Sequence, residues 1–370
     1  MTTQINSRQC IILLIISIFA LKFQGLFSLL SHNLGRDGWL FILFFLVFDL
    51  LLLLLVIRVL KLFPNKTLYD FLCESYGKVF AKIVFLCFAV YFIFKAIIPY
   101  KGINDLFGNV LFEFLPWSVF SLFLVFTILF MVGKKLRGIG RVAELFFGVI
   151  VVGIVGCLLL SVFAPDYSRL LPILDNGLGA FVTTAVKYNM WFGDFLLLFL
   201  MMGKISSKLE YKKVLSWYAI SGIVVAVFLA IFYSLYENLA VYQYQGLASI
   251  TQFALLGLDI GKIDKILVLF SFVSTVIAIA LYVYFSSTCL AKIFGIKRNV
   301  WFTIFCLVVI YILDVYVSGD VSVIIKFFEN YLGYFGVVVH VGFTLLFYIT
   351  AEIRAKIKLK NMEAKNDSIF

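Results

Sequence analysis

Asp194 stands beside Gly193 in the middle of the run 188–202, YNMWFGDFLLLFLMM, which is otherwise apolar enough to sit in lipid. A carboxylate at mid-bilayer costs about 2.5–3.5 kcal/mol on insertion scales, so it is expected to face a bundle interior or a wet cavity. A second run, FALKFQGLFSLL at 19–30, carries Lys22, Gln24 and Gly25 at similar depth. Each run sets a glycine near a charge, the pattern of a membrane helix that unwinds so that its freed backbone groups bind a substrate or an ion. Asp49 is a third charge near the middle of an apolar run. Ser271, Ser274 and Thr275 follow i, i+3, i+4 spacing, which puts three hydroxyls on one helix face. These hydroxyls either line a cation or substrate site or bond their own helix's carbonyls. Lys22 paired with Asp49 or with Asp194 as a purely structural ion pair is the alternative to a binding role.

The elements that must position these residues follow from composition. The 370 residues are 64% hydrophobic and 14% charged, with a mean hydropathy of +1.09. A soluble domain carries about 25% charged residues. Apolar stretches of about 18 residues or more recur along the chain and read as membrane helices. Their spacing predicts an all-α integral membrane protein with spans at 9–31, 38–62, 79–100, 115–133, 142–164, 180–203, 214–236, 265–291, 299–318 and 331–351. The first span shows no small-residue cleavage site and is expected to be retained. Prolines 64, 99, 116, 165 and 172 are expected at or beyond span ends. Lys95, Asp314 and Lys187 are placed near span ends, within reach of the interface by snorkelling, and Tyr91 is given a structural role.

Lys and Arg set the orientation. The net charge of +11 is concentrated in alternate loops, such as KKLR at 134–137, and in the tail 352–370. Both termini are therefore expected in the cytoplasm, and the basic excess is a topology signal that calls for no nucleic acid. The chain reads as one polytopic membrane domain over 1–370. It divides into five spans over 9–164 and five over 180–351, starting from opposite sides, as an inverted repeat requires. The connections 66–77 and 246–259 are expected to hold matching short helices on opposite faces.

The six cysteines are scattered, and only His32 and His340 are present, so no metal site, disulfide or cofactor is expected. No Walker loop, GxSxG elbow or His/Glu metal spacing occurs, and no enzymatic activity is expected.

The order of motifs resembles the spore germination permeases, the B-subunits of nutrient germinant receptors. The start INSRQCIILLIISIFALKFQGLFSLLSHNLGRDGWL at 5–40 is similar to their opening, with LGRDGW at 34–39 in place of AGxDAW. FPNKTLYDFLCESYGKVFAKI at 63–83, RGIGRVAELFF at 137–147, RLLPIL at 169–174 and IDKILVLFSFV at 263–273 follow in family order. MWFGDFLLLFLMM at 190–202 resembles FxxFGExxLLxxLxP, with Asp194 in place of Glu. Ala20 and Phe27 stand where the family has glycine and proline, so the break in span 1 is either displaced to Gly25 or lost. The resemblance implies the amino acid–polyamine–organocation superfamily, whose LeuT-like fold is a five-plus-five inverted repeat with discontinuous helices 1 and 6. It also implies a receptor subunit in the spore inner membrane that binds a small nutrient, often an amino acid, beside an A-type membrane subunit and a C-type lipoprotein.

A small-nutrient site is then expected at Ala20, Lys22, Gln24, Gly25, Trp191, Phe192, Gly193 and Asp194. An ion or proton site is expected among Asp49, Asp194, Ser271, Ser274 and Thr275. A secondary amino acid transporter coupled to H⁺ or Na⁺, and a structural membrane subunit with a vestigial pocket, are the competing functions on the same scaffold.

Overall fold

Apolar, charge-poor runs fold here as helices, because each helix satisfies its own backbone hydrogen bonds. The computed structural model describes residues 4–23, 25–64, 66–106, 117–163, 165–206, 209–243, 246–254, 263–317 and 327–367. In chain order the helices are α1 (Ser7–Lys22), α2 (Leu26–Leu34), α3 (Gly38–Leu62), α4 (Leu68–Leu106), α5 (Trp117–Gly133), α6 (Lys135–Ser161) and α7 (Gly177–Lys187). They continue as α8 (Leu196–Met201), α9 (Tyr211–Tyr236), α10 (Gly246–Ala254), α11 (Ile263–Phe294), α12 (Val300–Val317), α13 (Gly333–Val337) and α14 (Phe343–Asp367). Two π-helical turns, Phe328–Leu332 and Val338–Gly342, flank α13 and make the last run nearly continuous. No strand occurs among the described residues; Ile5 and Ile205 form an isolated parallel bridge.

Six helical runs are long and apolar enough to cross a membrane: Leu26–Leu62, Leu68–Asn104, Lys135–Ser161, Tyr211–Tyr242, Leu269–Phe294 and Asn330–Lys358. Two shorter apolar helices are Val119–Gly133 and Val300–Val315. Burial separates the centre from the periphery. The most apolar window of α11 is 78% buried and that of α6 only 28%. Nearly all of α1 is buried as well; a helix apolar all round belongs in a core. Large apolar side chains point outward on the peripheral helices, among them Phe123, Phe126 and Phe130 on α5, Leu145 and Val152 on α6, and Trp301 and Phe305 on α12. Such a surface suits lipid and not water, and the chain is a multi-pass membrane protein.

Two helical runs are interrupted beside buried charges. Between α1 and α2 the chain turns at Gly25 (φ 75°). Between α7 and α8 it passes through a 3₁₀ turn (Asn189–Trp191), an extended Phe192 and Gly193 at φ 72°. The first run thus turns at Gly25, three residues after Lys22, the last residue of α1.

Three expectations are corrected. Pro99 lies inside α4, which continues to Leu106. Lys95 therefore sits well within a long helix, and its side chain is fully buried instead of snorkelling. Asp314 is also fully buried, accepting a hydrogen bond from Asn104 Nδ2 at 2.8 Å. Lys187, by contrast, lies in the last turn of α7, near a helix end as expected, and is half-buried with its ammonium 3.4 Å from Asn33 Oδ1.

The connection at 66–77 does fold as a short helical piece, because α4 starts at Leu68 and breaks at Gly77 (φ 85°, ψ 169°). Its counterpart begins as α10, while 255–259 lie outside the described residues. Within LGRDGW, Asp37 is buried and accepts the N–H groups of Leu174 and Asp175 at 3.2 and 3.1 Å. That carboxylate ties the start of α3 to the segment that leads into α7.

Candidate functional site at the facing helix breaks

Unwinding at 188–195 leaves carbonyls with no intrahelical donor, and buried orphan groups of this kind require other partners. The partners are ammonium groups. Lys22, in the last turn of α1, donates to Trp191 O at 3.2 Å. Lys95 of α4 donates to Phe192 O, and Tyr91, one turn earlier, donates to the same oxygen at 3.2 Å. Pro99 removes the donor that the Lys95 carbonyl would have met one turn on, loosening α4 at this point.

Asp194 lies between the two ammonium groups. Its Oδ2 is 2.8 Å from Lys22 Nζ and its Oδ1 is 3.1 Å from Lys95 Nζ. Tyr282 of α11 donates to Oδ1 at 3.3 Å. The Asp194 and Lys95 side chains are 0% exposed and that of Lys22 is 5% exposed, so the cluster is closed off from the molecular surface. A carboxylate is stable there because two cations face it; alone it would carry the whole desolvation cost. Lys22 Nζ also lies 5.1 Å from the centre of the Phe192 ring, which stacks on Phe45 at 3.8 Å.

A second cluster adjoins the first through Gly193. Asp49 Oδ2 accepts from Tyr218 Oη of α9 at 2.7 Å and lies 3.4 Å from the Gly193 N–H. His340, in the π-helical turn before α14, places Nε2 3.0 Å from Asp49 Oδ1, close but without hydrogen-bond geometry. Its Nδ1 lies 3.2 Å from Asn189 Oδ1. With the amide assigned that way round its oxygen only accepts, so Nδ1 carries a hydrogen. By formal charge Lys22 and Lys95 match Asp49 and Asp194, two groups of each sign.

The structure therefore brings Lys22, Trp191, Phe192, Gly193, Asp194 and Asp49 together, with Gly25 three residues beyond Lys22, and it pairs Lys22 with Asp194 and not with Asp49. Trp191 and Phe192 contribute main-chain carbonyls. Ala20 is buried one turn before the break in α1 and brings no polar group. Gln24 lies outside the described residues. Ser271, Ser274 and Thr275 are not drawn in: Ser274 and Thr275 both bond the Ser271 carbonyl, at 2.7 and 2.8 Å. Thr275 also sits seven residues before Tyr282, about 10 Å along the helix axis.

Lys95, Tyr91, Tyr218, Tyr282, His340 and Asn189 were not legible as site residues. Lys95 was hidden by treating Pro99 as a span end. The Tyr91 and Lys95 pair at i, i+4 was the available signal, since such residues share one helix face. The π-helical turn at His340 has no sequence mark, although turns of this kind concentrate at functional sites.

Tyr218→Phe is expected to cost about 1–3 kcal/mol, because it removes the shortest donor to a buried carboxylate. Thermal unfolding of the purified chain measures it. Stability equal to the unaltered protein would mean that Asp49 is held by His340 and Gly193 alone.

Residues 4–320 match the model of a family described as spore germination protein, the spore permeases. The chain is 27% identical over 206 residues to spore germination protein KB of Bacillus subtilis (strain 168), an alignment covering 53% of this chain and 54% of that protein. It thus spans about half the length of the curated relative it matches. Interrupted helices facing each other across a buried charge cluster, in a chain whose sequence matches this model over most of its length, belong to a member of the spore germination permease family.

Proposed function

We propose that this chain is the permease-like subunit of a nutrient germinant receptor, and that it binds a small zwitterion of the amino acid class at the facing breaks. One observation carries the reading. The unwound carbonyls of Trp191 and Phe192 are held by Lys22 and Lys95, directly beside Asp194. A zwitterion brings one ammonium and one carboxylate. Its carboxylate takes over Lys22, and its ammonium takes over Asp194 and the Trp191 carbonyl. The exchange leaves the charge of the cluster unchanged, which matters where an unbalanced charge is costly. The present geometry is the closed, self-satisfied state.

On this reading the scaffold is the ten-span, five-plus-five inverted repeat of LeuT-like transporters, with the runs at 7–34 and 177–201 as its broken first and sixth spans. The loop charge pattern supports cytoplasmic termini. Membership of the family supports residence in the spore inner membrane or the cell membrane of a spore former. It also supports assembly with an A-type membrane subunit and a C-type lipoprotein, in a complex that signals without catalysing a reaction.

The test is thermal unfolding of the purified full chain across a panel of amino acids. One or more is expected to raise Tm in proportion to its logarithmic concentration, and Lys22→Met is expected to abolish the rise. No response to any amino acid, or an undiminished response in Lys22→Met, counts against the site.

A second reading, a secondary transporter coupled to H⁺, is favoured by the His340–Asp49 couple. His340 Nε2 and Asp49 Oδ1 lie 3.0 Å apart inside the buried cluster, a His and Asp pair of the kind that proton relays of transporters use. Uptake of labelled amino acid into proteoliposomes under an imposed proton gradient separates transport from sensing.

A further inference from the structure

The face of the molecule that carries the N-terminal segment holds a cleft of about 700 Å³, lined by none of the residues of the helix breaks. It is on that face because Lys204, which lines it, accepts the Ile5 N–H at its carbonyl. Every charged side chain lining the cleft is basic: Lys135, Lys204, Lys292, Lys297 and Arg298. Several of these cations are placed by aromatic faces and not by carboxylates. Lys204 Nζ lies 5.6 and 5.2 Å from the Tyr284 and Phe285 ring centres, and Lys292 Nζ lies 5.1 Å from that of Tyr69. Arg298 sits 4.6 Å from the centre of the Tyr284 ring, steered by Val132 O at 3.2 Å and by Thr303 Oγ1 at 3.4 Å. Cation–π contacts hold a cation without neutralising it. Lys135 is in addition fixed at φ 62°, a conformation a side chain adopts at a cost.

We propose that this cleft is a binding site for a phosphate-bearing anion, either the headgroup of an anionic phospholipid or a soluble phosphate monoester. Several converging cations exceed what one carboxylate can balance; a phosphate monoester offers three acceptor oxygens and up to two charges, and a phosphodiester headgroup offers two oxygens, one charge and further headgroup oxygens. The volume lies in the range of small-ligand pockets. A protein partner would instead need a surface of about 1,000 Å² or more. Phe294, Ile296 and Trp301 are exposed beside the cleft and suit acyl chains if the phosphate comes from a lipid.

Burial lowers the Lys204 ammonium to about 8; Cys289 opposes the fall, and the Lys292 and Arg298 charges add to it. Tyr69, Lys135, Tyr284 and Lys297 are the other charged or titratable groups around the same space. The neutral form of Lys204 gains as pH rises through about 8, so affinity for the anion is expected to fall over that range.

The experiment uses the full chain. In detergent micelles, glycerol 3-phosphate is titrated and Tm is read; in a second arm, nanodiscs of phosphatidylcholine are compared with nanodiscs containing phosphatidylglycerol. A saturable rise with glycerol 3-phosphate assigns a soluble monoester. A rise confined to phosphatidylglycerol assigns a lipid headgroup. In either case the exposed pair Lys292→Gln with Lys297→Gln is expected to weaken the response about tenfold or more, as loss of charge-assisted contacts does. Lys78→Gln, an exposed change elsewhere in the chain, is expected to leave it intact. The proposal is overturned if neither probe raises Tm, or if the double variant responds like the unaltered protein. It is also overturned if only a poly-glutamate peptide raises Tm, which would assign the cleft to an acidic protein segment.

Discussion

Asp194→Asn is expected to cost about 3–5 kcal/mol of stability and to abolish any response to a nutrient. The magnitude is that of breaking a buried ion pair by removing one partner. Lys22 and Lys95 would then face a neutral amide from 2.8 and 3.1 Å, inside a cluster with almost no exposed surface. Such a loss is a large fraction of a typical folding free energy of about 5–15 kcal/mol. Because the cause is imbalance of charge, a compensating change should recover part of it. Adding Lys22→Met to Asp194→Asn removes one charge of each sign. The pair is expected to be more stable than Asp194→Asn alone, with a coupling energy of about 0.5–3 kcal/mol. Thermal unfolding of the purified chain, with the amount of folded protein recovered from membranes, measures both. A single variant as stable as the unaltered protein, or a double variant no better than the single one, would show that Asp194 is not the shared counter-charge. Nutrient response is expected to be absent in both variants, since each lacks a group that the zwitterion needs.

The second large effect is expected at Gly193. A residue other than glycine in the left-handed region costs about 1–2 kcal/mol, and both break glycines adopt it, Gly25 at φ 75° and Gly193 at φ 72°. They differ in space. A Cβ at Gly25 would meet nothing within 4 Å, whereas one at Gly193 would lie 3.1 Å from His340 Cγ and 3.1 Å from Tyr91 Oη. Gly193→Ala therefore adds a crowding penalty of about 1–3 kcal/mol. It also displaces the hydroxyl that donates to the Phe192 carbonyl and the imidazole beside Asp49. Gly25→Ala is expected to show the backbone cost alone. Equal losses for the two variants would mean that Tyr91 and His340 yield freely, and that the second cluster does not depend on its present geometry.

Much of this was legible in the chain because lipid simplifies the problem. A carboxylate in the middle of FGDFLLL has few options there, and glycine beside it names the place where a helix can open. Asp194, Gly193, Lys22 and Gly25 could be read for that reason. Lys95 could not, because proline usually marks a helix end and α4 instead runs through Pro99. His340, Tyr218 and Tyr282 come from helices far along the chain, and nothing local distinguishes a tyrosine that caps a carboxylate from one that packs. For Ser271, Ser274 and Thr275 of α11 the i, i+3, i+4 spacing left two roles open, and two of these hydroxyls bond the Ser271 carbonyl of their own helix. Which helix lies opposite is a property of the tertiary fold and not of spacing.

The isolated bridge at the N-terminal face has a mechanical consequence. Ile5 N–H bonds Lys204 O at 3.0 Å and Ser206 N–H bonds Ile5 O at 2.9 Å, which fastens the start of α1 to the segment just after α8. At their other ends the same two half-helices are clasped by Lys22 and Asp194. Joined at both ends, α1 and α8 form a closed frame, and α2 and α7 lie beyond its breaks at Gly25 and Gly193. Loss of the Lys22–Asp194 clasp is therefore expected to loosen that frame at the breaks alone, because the paired bonds of Ile5 with Lys204 and Ser206 remain at its other end.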